Sequence, residues 1–168
     1  MAIVTDAESG RRAAIRATIL QLRAPGVSAR VVEREASDLV GSVRVPVVIS
    51  SRCDIALASG AAGVNLPERD ISTHDARGLM RHGVVGRSVH SVEAAQRAQV
   101  EGADFVIFGP VWASPSHPRV APVGIEGLAR VARAVPIPVL AIGGVTEARV
   151  AECLAAGAAG YAGITMFL

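Results

Sequence analysis

Lysine is absent from the sequence, and its absence removes two kinds of chemistry. All 17 basic residues of the 168-residue chain are arginine. There is no side-chain amine to form a Schiff base with a carbonyl substrate, and no lysine to complete a phosphate-binding P-loop. A phosphate bound by this chain is therefore expected to be held by backbone amides, hydroxyl groups or arginine.

Cysteine, aromatic residues and excess charge are also scarce. Two cysteines, Cys53 and Cys153, are too few for a disulfide framework and lack the spacing of metal ligands. A net charge of +2 and an aromatic content of 3% do not favour a nucleic-acid partner. No apolar run approaches the ~18 residues of a membrane helix, and no secretion signal opens the chain. Hydrophobic residues make up 51%, so we expect one cytoplasmic, enzyme-like globular domain over residues 1–168, without a membrane partner.

Apolar segments alternate with helical segments along the chain. Several apolar segments are continuous, which is typical of strands buried on both faces of a parallel sheet. A helix end, a Gly-Ala turn and a strand recur three times, at 57–66, 98–107 and 154–163, and this repetition favours βα units. We predict an α/β fold, a (β/α)8 TIM barrel, with strands at 2–5, 18–22, 46–50, 63–66, 84–89, 104–109, 137–142 and 160–165.

Two parts of the predicted barrel are short. Such barrels typically occupy about 200 residues or more. Only 12 residues separate Thr5 from Thr18, which leaves barely two turns for a first helix near 10–17, and no eighth helix follows the last strand. Either the sequence lacks segments of the native chain, or a partner subunit closes a minimal barrel. Apolar faces left uncovered would favour association, and we expect a homodimer.

The segment after strand seven is a candidate phosphate site. Gly143 and Gly144 follow this strand and precede a helix, so their amides could approach an anion beside the helix N-terminus. Gly163 and Ile164 end strand eight, and phosphates in this architecture bind after strands seven and eight. The alternative is that the paired glycines only form a tight turn.

A long proline-rich loop follows strand six at 109–119 and contains two serines and a histidine, Ser114, Ser116 and His117. Long loops at the catalytic face of a barrel are more often functional than idle. These side chains could contact an anionic or heterocyclic ligand. A solvated turn is the alternative.

Strands two and five also end in polar residues. Gln21 and Arg23 end strand two, where Arg23 is either a second anion contact or half of a surface ion pair. Ser88 and His90 lie on one face of strand five by alternation. His90 could be a general acid or base, or a buried histidine that shapes the pocket.

Carboxylates are rare near the strand ends. Asp6 ends strand one and Asp70 follows strand four. One isolated carboxylate makes a poor Mg²⁺ site, which usually takes one or two carboxylates together with substrate phosphates.

A set of segments spread over nearly the whole chain matches one known pattern: 3–6, 20–23, 51–57, 86–91, 102–111, 139–146 and 156–163. Taken in order, they resemble the thiamine phosphate synthase/TenI superfamily. The resemblance implies a (β/α)8 barrel, commonly dimeric, that binds a thiazole phosphate. In this superfamily the synthase joins that compound to a pyrimidine pyrophosphate using Mg²⁺, whereas TenI proteins aromatise a thiazole tautomer without a metal.

Departures from the synthase pattern lead us to expect the TenI branch. The lysine after the strand-two arginine is Pro25 here, and the metal-binding Asn-Asp pair is Ser50-Ser51. The second metal carboxylate matches at Asp70, and the lysine of the strand-six loop is replaced by His117. Pyrophosphate departure needs charge neutralisation, which these losses weaken. The run at 86–91 and Asn65-Leu-Pro67 look more like TenI proteins, although the TenI histidine is Pro110 here.

From these residues we predict a TenI-like thiazole tautomerase of thiamine biosynthesis that needs no cofactor. His117, or His90 in its place, would move the proton. The alternatives are a synthase with Mg²⁺ at Asp70, a phosphosugar isomerase or epimerase on the same barrel, and a regulatory protein that binds a thiamine-related ligand without turnover. In the predicted enzyme, Gly143, Gly144, Gly163 and Ile164 bind the phosphate, and Gln21, Arg23, Ser88, Ser114 and Ser116 line the pocket.

Overall fold

Strands and helices alternate along the chain. The structure is a computed structural model that describes residues 1–114 and 120–167. A 3-10 turn at Thr165–Phe167 follows the last strand. No helix in the described part of the chain is long and apolar enough to cross a membrane. The strands are β1 Ala2–Val4, β2 Leu20–Leu22, β3 Val47–Ser50, β4 Gly63–Leu66, β5 Val84–Val89, β6 Phe105–Phe108, β7 Val139–Ala141 and β8 Gly160–Tyr161. The helices are α1 Ala7–Ala13, α2 Ala29–Ser42, α3 Cys53–Ser59, α4 Thr73–Leu79, α5 Val92–Val100, α6 Gly124–Ala134 and α7 Glu147–Ala155.

The eight strands form one parallel sheet in sequence order, β1 to β8. The sheet curls until its edges meet, where Ala2 pairs with Gly163 in a parallel bridge. Two hydrogen bonds hold this junction: the Ile3 amide donates to Gly163 at 2.9 Å, and the Gly163 amide donates to the Met1 carbonyl at 3.2 Å. The predicted (β/α)8 barrel is confirmed.

Side chains alternate between the inside and the outside of the barrel. The interior is filled by an apolar cluster that includes Ile3, Val48, Phe105 and Ile107. Gly86 makes room for this filling, because a Cβ there would lie 2.1 Å from the Phe105 ring. Residues on the outer faces of the strands pack against the helices in two larger clusters.

Helix α1 is as short as predicted but lies closer to β1. It spans seven residues, Ala7–Ala13, whereas the sequence indicated 10–17. Asp6 causes the shift, because its Oδ1 accepts from the Ser9 amide at 2.7 Å and so caps the helix. The carboxylate that we placed at the end of strand one is therefore an N-cap.

Strand β8 is shorter than the predicted 160–165 and ends at Tyr161. Gly163 pairs only with β1, and Thr165 already belongs to the 3-10 turn. Phe167 in that turn stacks on Tyr161, with ring centroids 5.8 Å apart. The chain therefore folds back on the barrel rim instead of extending the strand.

Candidate functional site

Polar side chains enter the barrel interior beside the apolar cluster. Gln21, Asn65 and Ser88 pair in register with residues that face inwards, such as Val48 and Ile107. The Asn65 Nδ2 donates to the Ser88 Oγ at 3.1 Å. Gln21 and Asn65 are only 3% and 2% exposed.

Two oxygens of this polar group have no partner. The Gln21 Oε1 and the Asn65 Oδ1 are buried and accept no hydrogen bond from the described residues. Buried polar atoms are rarely left without a partner, and an exception calls for a ligand, a water molecule or a functional reason. Both oxygens suit a ligand that brings N–H or O–H donors.

Asn65 was not among our predicted site residues. It lies in a four-residue buried strand, Gly-Val-Asn-Leu, and an amide in such a strand is the signal that could have identified it. Which way the side chain points depends on register, and the sequence does not determine register at this strand.

Gly143 and Gly144 adopt conformations that favour glycine, with φ of 88° and 64°. A Cβ at Gly143 would lie 2.4 Å from Pro110, and a Cβ at Gly144 would lie 2.7 Å from the Trp112 Cβ. Glycine is therefore sterically required at both positions of this turn. Neither amide donates a hydrogen bond to a described residue, so both are available to an anion beside the N-terminus of α7.

The loops after β6 and β7 are joined backbone to backbone. The Val111 amide donates to Ile142 at 2.8 Å, and the Trp112 amide donates to Gly143 at 3.0 Å. Arg149 of α7 adds a second link, because it donates to the Gly144 carbonyl at 2.7 Å and lies 4.7 Å from the Trp112 ring centroid. The rim at this side of the barrel is one connected unit.

Gly163 and Ile164 differ from the paired glycines. The Gly163 amide already donates to Met1, so a phosphate there would compete with barrel closure. Ile164 is 41% exposed and its carbonyl accepts from the Phe167 amide. The phosphate contacts of both residues stay a prediction.

His90 lies at the rim after β5 and bridges two neighbouring segments. Its Nδ1 lies within hydrogen-bond distance of the Gly109 carbonyl, and its Nε2 lies 3.7 Å from the Glu68 carboxylate. A carbonyl only accepts, so Nδ1 carries the proton in this arrangement. The imidazole joins the end of β6 to the loop after β4, and its role in proton transfer stays a prediction.

The other predicted pocket residues lie around the same rim. Arg23 is exposed after β2, and among residues 1–114 and 120–167 its guanidinium forms no ion pair. Ser114 is half-buried. Ser116 and His117 lie outside the described residues.

Ser51 makes a tight turn at the end of β3, beside the end of β4. Ser51 has a φ of 66°, and the Arg52 amide donates back to the Ser50 carbonyl at 2.8 Å, which makes a tight three-residue turn. Its own amide donates to the Asn65 carbonyl at 3.1 Å. A strained non-glycine residue of this kind often marks a functional site.

Asp70 has one carboxylate oxygen engaged, and the other accepts no hydrogen bond from the described residues. Its Oδ1 accepts from the Ile71 amide at 2.8 Å. Burial raises the pKa of the Cys53 thiol, and the charges of Asp70 and Asp54 add to the rise. In the part of the chain that the structure describes, no three His, Cys, Asp or Glu side chains form a metal-binding group.

Eight parallel strands that alternate with helices and close on themselves define a (β/α)8 barrel. Enzymes of this fold have their active sites at the carboxyl ends of the strands. The chain belongs to the thiamine monophosphate synthase family, whose model matches residues 5–167.

Named relatives agree with this assignment. A thiamine-phosphate synthase of Methanoculleus marisnigri is 39% identical over an alignment 181 residues long, gaps included. The alignment covers 97% of this chain and 84% of the relative. One from Chloroflexus aurantiacus is 36% identical over 174 residues, with 95% and 81% coverage. The solved thiamine phosphate pyrophosphorylase from Pyrococcus furiosus matches with a TM-score of 0.88 and 32% identity, covering 98% of this chain and 84% of that one. Across the relatives compared, the match spans 53% to 84% of the relative's length.

These names correct our functional prediction. We expected a TenI-like tautomerase, whereas the relatives are named as synthases and nothing in the comparisons points specifically to TenI. The prediction gave too much weight to the missing lysines and to Ser50-Ser51. Members of one family can neutralise substrate charge with different side chains, so single replacements were weak evidence against transfer chemistry.

Proposed function

We propose that this protein is a thiamine-phosphate-synthase-type transferase that joins a thiazole phosphate to a pyrimidine pyrophosphate. The observation that carries the proposal is the likeness to the Pyrococcus furiosus pyrophosphorylase over 98% of this chain. In the reaction, the thiazole nitrogen forms a bond to the pyrimidine methylene carbon. The bond from that carbon to the pyrophosphate oxygen breaks, and pyrophosphate leaves with the electron pair.

The thiazole phosphate would bind at the rim after β7. The Gly143 and Gly144 amides have no described partner, and the N-terminus of α7 adds a favourable dipole. Because this loop is bonded to the β6 loop, its amides are held in place before substrate arrives. Such preorganisation lowers the entropy lost on binding.

The pyrimidine would enter the barrel mouth above Gln21 and Asn65. An amino-substituted pyrimidine presents the N–H donors that the Gln21 Oε1 and the Asn65 Oδ1 lack. Hydrogen bonds to groups that are otherwise unpaired give strong selectivity, because a ligand without the donor leaves them unsatisfied. Ser88 fixes the Asn65 amide through its Nδ2.

The family implies Mg²⁺, and the donor set at the β3 and β4 ends fits an ion shared with substrate. Asp70 offers one carboxylate oxygen that accepts no hydrogen bond from the described residues, and Ser50 and Ser51 place hydroxyl groups at the neighbouring strand end. Mg²⁺ is commonly bound by one or two carboxylates and completed by substrate phosphates and water. When bound, the ion offsets the charge that develops on departing pyrophosphate.

Arginine would supply the remaining positive charge. Arg23 is exposed at the end of β2 and forms no ion pair within the described residues, so its guanidinium is available to the pyrophosphate. A guanidinium can bind two phosphate oxygens at once. The Arg23 guanidinium would thus supply positive charge in place of the lysines that the sequence lacks.

The test is direct formation of thiamine phosphate. Purified protein is supplied with thiazole phosphate, pyrimidine pyrophosphate and Mg²⁺, and the product is measured by chromatography. Arg23→Ala and Asp70→Asn are expected to lower kcat/KM for the pyrophosphate substrate at least about tenfold. Asp38→Asn, on the exposed face of α2, is the matched control and is expected to retain activity.

Absence of product from protein whose circular dichroism shows a folded barrel would overturn the proposal. Full activity of both Arg23→Ala and Asp70→Asn would leave the transferase in place and overturn the roles assigned to these two residues. Tight binding of thiazole phosphate without product would indicate a binding protein instead.

A further inference from the structure

Arg87 occupies an unusual position for a charged residue. It lies in the middle of β5, is 9% exposed, and faces outward between Val85 and Val89. Among the described residues no carboxylate forms an ion pair with its guanidinium. A buried charge is costly unless hydrogen bonds compensate it.

Backbone carbonyls supply that compensation, and all of them belong to the loop between β4 and α4. The Arg87 Nη1 donates to the Ile71 carbonyl at 2.5 Å. Its Nη2 donates to the Glu68 carbonyl at 2.7 Å and lies 3.4 Å from the Asp70 carbonyl. One side chain thus holds three carbonyls across a four-residue stretch.

Packing contributes little to this loop. Pro67 and Arg69 are exposed, and Ile71 is 43% exposed. A cavity of about 220 Å³, lined in part by Arg87, Thr73 and Glu101, lies against it. The loop therefore depends on polar contacts for its position.

We propose that Arg87 is a positioning residue that sets the affinity for a divalent cation with pyrophosphate by fixing the backbone around Asp70. The inference rests on the proposed function, since that function assigns Asp70 its ligand. Arg87 faces the helix layer and bonds the backbone of the loop, so it acts on the site through the loop. The guanidinium fork matches this task, because it can serve several acceptors at once, whereas an ammonium acts as a single point.

Arg77 offers a matched control at the opposite end of the barrel. Its guanidinium also holds carbonyls, donating to Gly83 at 2.7 Å and to Gly102 at 2.9 Å. These turns lead into strands and lie away from the predicted site. Arg77→Met removes a comparable set of hydrogen bonds, together with the ion pair between Arg77 and Asp104, without touching the Asp70 loop.

The decisive measurement is calorimetric binding of pyrophosphate with Mg²⁺ to Arg87→Met, Arg87→Lys, Arg77→Met and the unchanged protein. We expect Arg87→Met to weaken binding about tenfold, a change of about 1.4 kcal/mol, and Arg87→Lys to weaken it less. Arg77→Met is expected to bind as the unchanged protein does. In turnover assays, Arg87→Met should raise the KM for pyrimidine pyrophosphate and leave the KM for thiazole phosphate unchanged.

Amide hydrogen exchange gives a readout that needs no activity. Exchange at residues 69–72 should be faster in Arg87→Met, and exchange at 83–85 should not change. Equal pyrophosphate affinity in Arg87→Met and the unchanged protein would overturn the inference, as would absence of Mg²⁺-dependent pyrophosphate binding in the unchanged protein. If the unchanged protein binds pyrophosphate with Mg²⁺ but forms no thiamine phosphate, the proposed function fails. The ratio of the pyrophosphate affinities of Arg87→Met and the unchanged protein still decides the role of Arg87.

Discussion

The side chains of Asn65 and Ser88 are hydrogen bonded across adjacent strands inside the barrel, with 3.1 Å between Nδ2 and Oγ. The Nδ2 is the donor in this contact, and the Oδ1 accepts no hydrogen bond from the described residues. A hydroxyl on β5 therefore holds an amide on β4 whose oxygen is left for another donor.

Ser88→Ala is expected to lower the free energy of unfolding. The variant leaves a buried amide N–H without an acceptor, which costs about 1–3 kcal/mol. Urea unfolding at pH 7 measures the change. Ser59→Ala is the control, because the Ser59 hydroxyl donates to the Ile55 carbonyl of α3, and its removal leaves no buried donor unpaired. Equal stability of the two variants would show that water satisfies the Asn65 amide.

Gly144→Ala is expected to damage both stability and phosphate binding. The new Cβ would combine a φ of 64° with a 2.7 Å approach to Trp112. Left-handed backbone alone costs about 1–2 kcal/mol for a residue with a Cβ, and the clash adds to it. Gly60→Ala isolates the first effect, since Gly60 has a φ of 69° and open space around its Cβ position. We expect only Gly144→Ala to raise the KM for thiazole phosphate, and a rise in both variants would contradict the predicted phosphate site.

Asp6→Ala is expected to destabilise α1 by about 1 kcal/mol, the usual cost of losing an N-cap. The Ser9 amide, and then the Thr5 hydroxyl, hold the pKa of Asp6 below its ordinary value. Because the pKa of Asp6 is lowered in the folded state, ionised Asp6 contributes fully to the free energy of unfolding above its unfolded pKa of about 3.9. That contribution is lost as the pH falls below this value.

Unfolding followed between pH 7 and pH 2 tests this dependence. Asp6→Asn keeps a capping oxygen but cannot titrate. The difference in the free energy of unfolding between this variant and the unchanged protein should therefore shrink as the pH falls. A difference that stays constant down to pH 2 would mean that the Asp6 charge contributes nothing.

Asp70→Asn is expected to speed the reaction of Cys53 with a thiol reagent. Burial is the main reason that the pKa of Cys53 is raised, and the Asp70 charge raises it further. Removing that charge increases the thiolate fraction at a fixed pH, and the thiolate is the reactive form. The measurement uses a Cys153→Ala background, with Asp75→Asn as the control. An unchanged rate in Asp70→Asn would place its carboxylate away from the β3–α3 turn.

The order and positions of the strands could be predicted from the sequence. Buried parallel strands read as continuous apolar runs, and each predicted window contains the observed strand, as 137–142 contains Val139–Ala141. The ends of strands were predicted less accurately where a tertiary contact overrides the local sequence pattern. The 160–165 window extended beyond Tyr161, because pairing of Gly163 with β1 and stacking of Phe167 decide where β8 ends.

The site was predictable only in part, and for a different reason. Turn residues such as Gly143 and Gly144 have a local signature, because positive φ favours glycine. Asn65 has none, since its importance comes from the inward register of β4 and from Ser88 on another strand. Arg87 has no local signature either, because its acceptors are backbone carbonyls and every residue has one.

The backbone bonds between Ile142-Gly143 and Val111-Trp112 have a thermodynamic consequence. The motion that remains in two loops joined in this way is shared, so a ligand that restricts it in one loop also lowers the entropy lost when a ligand binds to the other. Linkage makes the effect reciprocal: a group bound along the β6 loop must tighten phosphate at the β7 loop by the same factor by which phosphate tightens that group. Binding at either loop therefore changes the affinity at the other.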